Sequence, residues 1–169
     1  LNGGTNFFDV DYGDALHGGD GNDTLLGWVG GDTMDGGDGI DTVDYSNMNL
    51  FGLAVEVDLG LGTAKVTGGF LDDVLIGIEN VVGSIGSAAL TGSDGANLLD
   101  GGGGRDILRG LGGDDTLYGG SGDDSLDGGD GNDSLDGGSG FDTMHGGTGN
   151  DSLYGGVGVT ISRDDAVDT

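Results

Sequence analysis

The chain has 169 residues, the length of one ordinary domain, of which 44 are Gly and none is Pro or Cys. Its 31 acidic residues against 4 basic ones give a formal net charge of −27, which argues against nucleic acid and anionic membrane surfaces as partners and in favour of cations. The lack of Cys rules out a disulfide framework, no apolar run is long enough to span a bilayer, and composition alone describes a chain disordered without a ligand, or an acidic flexible linker.

The chain begins at Leu1 with no signal peptide, as expected of a piece of something larger. Residues 9–17, DVDYGDALH, fit a nine-residue register loosely, with Asp14 in phase. From Gly18 the register is plain: GGDGNDTLL, GWVGGDTMD and GGDGIDTVD run to Asp44 and close an N-terminal block, 1–44.

Residues 45–82 break the register. In LAVEVDLGLGTAKV (53–66), Val55, Val57 and Leu59 alternate with Glu56 and Asp58, Gly60–Gly62 make a turn, and Ala64 and Val66 resume the alternation. This pattern predicts a β-hairpin. It is expected to pack on the repeats as an extra β element of one continuous domain, because three units alone are marginal.

The second block, 83–163, opens with two degenerate units, GSIGSAALT and GSDGANLLD. From Gly101 come GGGGRDILR, GLGGDDTLY, GGSGDDSLD, GGDGNDSLD, GGSGFDTMH and GGTGNDSLY, then the trailing GGVGVTISR and a tail, 164–169. Position six is Asp at 23, 32, 41, 106, 115, 124, 133, 142 and 151. Position eight is apolar in every unit through Tyr154, and position seven is usually Thr or Ser. Chance does not hold three positions in phase over six consecutive units.

The spacing has a physical reading. Gly-rich positions one to six bend tightly and turn carbonyls to one side, and the position-six carboxylate joins them. A flexible cage of oxygens suits Ca²⁺, which takes six to eight; Mg²⁺ demands a stricter octahedron, and Zn²⁺ would want Cys or His. His17 and His145, far apart in sequence, read as surface residues. Positions seven to nine alternate polar, apolar, polar, a very short strand with one buried side chain. Two nonamers make a coil that advances about 4.8 Å, so turns at 101, 119 and 137 form one column and turns at 110, 128 and 146 another. A cation between neighbouring turns receives oxygens from both.

GGDGNDTLL resembles the nonapeptide G-G-x-G-x-D-x-U-x of the RTX (repeats-in-toxin) family, a calcium-binding β-helix repeat. The run from DTVDYS (41–46) to GIENVVGS (77–84) likewise resembles the inter-block segment of secreted RTX proteins. The resemblance implies an all-β fold, a right-handed parallel β-roll or β-solenoid with 18 residues per coil, and roughly six to nine Ca²⁺ ions between turns. It implies ligation by the carbonyls of positions two and four and the side chain of position six. In the first block these are Gly19, Gly21 and Asp23, then Gly30 and Asp32, then Gly37, Gly39 and Asp41. In the second they are Gly95 and Asn97, Gly102, Gly104 and Asp106, Gly113 and Asp115, and Gly120, Gly122 and Asp124. The series ends with Gly129, Gly131 and Asp133, Gly138, Gly140 and Asp142, and Gly147, Gly149 and Asp151. Trp28 and Leu111 replace the second Gly but keep a carbonyl, whereas Ala88 and Thr160 replace the Asp.

The leading expectation is a calcium-dependent folding module: a secreted, extracellular part of a larger protein, threaded unfolded through a type I secretion channel and folded outside. About eight ions would offset roughly 16 of the 27 negative charges. The alternative is a binding module that presents Thr116, Ser134 and Ser152, or Ser125 and Thr143, to a polysaccharide, ice or cell-surface ligand. Plain strand propensity explains those residues more simply. Acid pairs such as Asp114–Asp115 and Asp123–Asp124 invite an enzymatic reading, but they recur with the repeat, and no G-x-S-x-G, H-E-x-x-H or phosphate loop accompanies them. Any catalysis is expected outside this chain. Trp28 reads as a turn residue at the N-terminal end, Tyr118 and Tyr154 as stacked on one face beneath the middle segment, and 163–169 as a cap over the open strand edge.

Overall fold

Position-eight side chains can be buried only if strands stack, and they do. The computed structural model describes residues 13–27, 30–47, 53–67, 72–156 and 160–162. The first block forms β1 (Ala15–Asp20), β2 (Thr24–Leu26), β3 (Thr33–Asp38) and β4 (Thr42–Asp44). The middle forms β5 (Val55–Asp58), β6 (Thr63–Val66), β7 (Asp73–Ile76) and β8 (Asn80–Val82). The second block forms β9 (Ala88–Thr91), β10 (Leu98–Asp100), β11 (Ile107–Gly112), β12 (Thr116–Tyr118), β13 (Ser125–Asp130), β14 (Ser134–Asp136), β15 (Thr143–Thr148), β16 (Ser152–Tyr154) and β17 (Thr160–Ser162). Trp28, the start of the loose first unit and the tail 163–169 lie outside the described residues.

Odd and even strands separate into two sheets. A ten-stranded sheet runs β1-β3-β7-β6-β5-β9-β11-β13-β15-β17, and a seven-stranded sheet runs β16-β14-β12-β10-β8-β4-β2. Within the repeats, partners are 18 residues apart and parallel: Leu108 faces Leu126 and then Met144, and Leu99 faces Leu117 and then Leu135. The architecture is a parallel β-solenoid of about 7 turns and about 18 residues per turn. Its core is the ladder of position-eight side chains, from Leu16 and Leu25 to Met144, all buried. Each contributes about 1.5–3 kcal/mol, so the repeats bury little more than one large apolar side chain per strand.

The predicted hairpin is present: β5 and β6 are antiparallel, and Gly62 turns at φ 67°. It does not lie on top of the roll. Its two strands are members of the ten-stranded sheet, where β5 pairs in parallel with β9 and β6 runs antiparallel to β7. It therefore does not cover Tyr118 and Tyr154, which stand exposed on the other sheet. Asp136 sits between them in register, so they are two strands apart rather than stacked.

Residues 73–82 form a coil that counting in nines does not reveal. β7 pairs in parallel with β3, and β8 with β4. Their inward residues Leu75 and Val81, which pair with Met34 and Val43, are six positions apart, where position-eight residues of regular units are nine apart. In the seven-stranded sheet β10 follows β8 directly, whereas β6 and β5 separate β9 from β7 in the other sheet.

Candidate metal centre

The turn 128–133, GGDGND, shows how the sequence builds a cradle. Gly129 and Gly131 have φ of 106° and 145°, a region that L side chains rarely enter. A Cβ on Gly129 would strike the Leu111 carbonyl oxygen of the preceding turn, and a Cβ on Gly131 that of Gly113. The carbonyls of positions two and four thus point forward along the stack. A Cβ on Gly128 would strike both Asp133 Oδ2 and the Gly146 carbonyl of the following turn. The gap between turns 128–133 and 146–151 is lined by Gly129 O and Gly131 O from one side, Gly146 O from the other, and Asp133 Oδ2.

The position-six aspartates form ladders along both edges. The backbone N–H of Asp115 donates to Asp133 Oδ1 at 2.8 Å, and that of Asp133 to Asp151 Oδ1 at 2.9 Å. On the other edge Asp106 N–H donates to Asp124 Oδ1 at 2.8 Å and Asp124 N–H to Asp142 Oδ1 at 3.0 Å. In the first block Asp23 N–H donates to Asp41 Oδ1 at 2.7 Å. Oδ1 of Asp41, Asp124, Asp133, Asp142 and Asp151 is thereby engaged, and Ala88 and Asn97 N–H engage that of Asp106 and Asp115. Oδ2 of Asp23, Asp41, Asp106, Asp115, Asp124, Asp133, Asp142 and Asp151 is buried with no hydrogen-bond partner.

Eight such oxygens are costly to bury in ionised form. Even at about 1 kcal/mol each the penalty is about 8 kcal/mol, against about 5–15 kcal/mol for the whole stability of a typical domain. The carboxyl groups register the same strain. Burial pushes Asp106 up to about 7 and Asp115 up to about 6, outweighing the backbone N–H bonds from Ala88 and Asn97, with the Asp124 and Asp133 charges adding to the rise. Asp124 and Asp133 are also raised, again chiefly by burial. Among the described residues no three His, Cys, Asp or Glu side chains converge, so carbonyls must complete any coordination shell. The position-two carbonyls of Gly102 and Gly120 accept Ser121 and Ser139 N–H at 3.0 and 2.9 Å, which leaves each a second lone pair. One carboxylate oxygen with several carbonyls from two turns is a donor set for a hard cation such as Ca²⁺.

The predicted ligands fall into two columns at opposite edges. One holds Gly19, Gly21 and Asp23; Gly37, Gly39 and Asp41; Gly95 and Asn97; Gly113 and Asp115; Gly129, Gly131 and Asp133; and Gly147, Gly149 and Asp151. The other holds Gly30 and Asp32, then Gly102, Gly104 and Asp106, then Gly120, Gly122 and Asp124, then Gly138, Gly140 and Asp142. Asn97 stands apart: its Oδ1 accepts the Ser93 N–H at 2.7 Å and its Nδ2 donates to the Glu79 carbonyl at 2.8 Å. The acid pairs split, with Asp115 and Asp124 turned inward while Asp114 accepts Asn132 N–H at 2.8 Å and Asp123 accepts Phe141 N–H at 2.9 Å on the surface. His17 and His145 are surface residues beside Asp35 and Asp127, at 3.3 and 3.0 Å.

Sequence reasoning missed two members of the ladders. Asp73 Oδ1 accepts Asp32 N–H at 2.9 Å, and Glu79 Oε2 accepts Asp41 N–H at 2.8 Å. The signal was present in DVLI (73–76), which carries the Asp-x-apolar-x end of the repeat. Asp73 Oδ2 is not orphaned, because the buried Tyr45 hydroxyl donates to it at 2.9 Å. Burial raises Asp73 to about 6, and burial together with the Asp73 charge lifts the Tyr45 phenol well above its ordinary value.

Stacked Gly-rich turns with inward carboxylates, closed by one-residue-deep strands, define a calcium-binding β-roll. The sequence model of the RTX calcium-binding nonapeptide repeat (4 copies) matches residues 9–43, 82–117, 91–126, 110–144 and 127–159, and the chain belongs to that family. No curated protein matches the chain. An RTX β-roll is not a catalytic fold.

Proposed function

We propose that this chain is a calcium-dependent folding module of a larger secreted protein, without catalytic activity of its own. The observation that carries the reading is the set of eight buried, partnerless carboxylate oxygens facing carbonyl-lined gaps. The proposed ligands are the position-two and position-four carbonyls with the position-six aspartates, in both columns, and several ions would share them. Asn97, with both ends of its amide engaged, serves as a neutral link in its column.

Bound Ca²⁺ supplies two positive charges and accepts six to eight oxygens. The chain supplies the geometry: Gly at positions one, two and four keeps the gap open, and the aspartate ladder sets each turn over the next. Without the ion, like charges repel and the thin core does not repay the ordering of a quarter-glycine chain. Extracellular modules bind at about 10⁻⁴–10⁻³ M, so the calcium-binding repeats of such a chain stay unfolded in a low-calcium cytosol, fit for threading through a type I channel, and fold on leaving the cell. Among the described residues no helix is long and apolar enough to cross a membrane.

The test is far-UV circular dichroism through a calcium titration, with magnesium as control. A coil spectrum that turns to β with calcium alone supports the reading. A β spectrum already complete in chelator overturns it. Exposed Tyr118 and Tyr154, beside Thr116, Ser134 and Ser152 on the seven-stranded sheet, favour a second reading as a glycan-binding face. Tyrosine fluorescence unchanged by soluble polysaccharides would count against that.

A further inference from the structure

The partnerless buried oxygens are not spread evenly. Among the described residues they belong to Asp23 and Asp41 on one side and to the aspartates from Asp106 to Asp151 on the other, and residues 42–105 hold none. In that interval side chains do what the gaps elsewhere leave undone. Tyr45 satisfies Asp73, and its ring fills the space over Gly27, where a Cβ would strike it. Both turns of the coil that carries β9 and β10 have Ser at position two. Ser84 Oγ accepts Gly86 N–H at 3.1 Å and donates to the Leu53 carbonyl at 2.8 Å, and Ser93 Oγ accepts Gly95 N–H at 3.2 Å. At position six this coil has Ala88 and Asn97, neither of which brings a charge.

The core is also deepest here. Besides the position-eight ladder, Tyr45, Val55, Val66 and Ile78 are buried, so this stretch depends least on anything outside the chain. We infer that the described residues of 42–100 form a nucleus that needs less calcium than the two arms that fold on it, an inference that rests on the calcium reading of the arms. The nucleus has a task that follows from repetition. Units such as GGDGNDTLL and GGDGNDSLD are nearly interchangeable, so a slip by one coil leaves most Gly, the position-six Asp and the apolar position eight in phase. Among the described residues the Tyr45–Asp73 bond, the hairpin and the short spacing from Leu75 to Val81 occur once, and they set the register for both arms.

The test is hydrogen–deuterium exchange of the full chain, resolved by peptide, from chelator upward through a calcium titration. Peptides from 55–66 and 73–100 are expected to gain protection at a lower calcium concentration than peptides from 106–154, and to keep part of it in chelator. The Tyr45→Phe substitution, which keeps the ring and removes the hydroxyl, is expected to shift the midpoint of the middle peptides up toward that of the arms. Middle and arms gaining protection together, or the arms first, overturns the inference and leaves the calcium reading standing. A chain in which no peptide responds to calcium overturns both.

Discussion

In the arm 101–154 every turn leaves a carboxylate oxygen buried and unmet, while in the stretch 73–100 the same places in the coil are filled by a tyrosine hydroxyl, two serines and an asparagine. The backbone path is alike in both, since β10 continues into β12 with the same 18-residue register. What differs is where the missing interactions come from. A turn of this shape needs something polar at its centre, and side chains or an ion can supply it. Side chains make the turn permanent; an orphaned carboxylate makes it conditional.

The largest expected effect comes from removing calcium. Chelation should erase most of the β signal of 101–154, and magnesium should not restore it; retention of that signal would abolish the difference between the two regions. Next, Asp133→Ala removes both the acceptor of Asp115 N–H and an inward oxygen. It should destabilise the calcium-loaded fold by about 3 kcal/mol, whereas Asp20→Ala, an exposed acid, should change it by less than about 0.5 kcal/mol. Equal calcium midpoints for the two variants would remove Asp133 from the cradle.

Tyr45→Phe strands Asp73 Oδ2 and should cost about 1–2 kcal/mol, read by urea unfolding in saturating calcium. The pH response is smaller and of definite sign. With Asp106 raised to about 7 and Asp115 to about 6, the calcium-free fold holds more protons than the unfolded chain below those values. Its stability therefore rises as pH falls from about 7 toward about 4. The unfolded calcium-free chain keeps these carboxyls ionised above about pH 5, so the calcium midpoint of folding should stay level down to about pH 5 and rise below it, where protons compete for the oxygens. A midpoint that stays level down to about pH 3.5 would place these carboxyls outside the binding event. The smallest effect belongs to Leu111, at φ 79° the one positive-φ residue other than Gly among those described. Leu111→Gly relieves that strain but loosens the unfolded chain, so the two should cancel to within about 0.5 kcal/mol in thermal unfolding.

The coil period, the position-eight core and the inward aspartates were legible because three residue types recur in phase, as at Gly128, Asp133 and Leu135. The middle was less legible for reasons that can be named. Between β7 and β8 the inward residues Leu75 and Val81 are six positions apart instead of nine, so Glu79 falls outside the count in nines and is an acid of the wrong length. Tyr45 reads as a stray aromatic, because its partner Asp73 is 28 residues away and only the fold brings them together. The hairpin was visible in the alternation of Val55, Val57 and Ala64, but no local pattern says which strands it will lie between.

That placement also shapes the rod. Between the coil of β7 and β8 and the coil of β9 and β10, the ten-stranded face carries two strands that the seven-stranded face lacks. At about 4.8 Å per strand, one side of the solenoid is longer there by about 9–10 Å, across a body about 10 Å thick. The difference acts as a wedge. Strand count therefore predicts an axis that bends toward the seven-stranded side at the hairpin, an angle that small-angle X-ray scattering would measure.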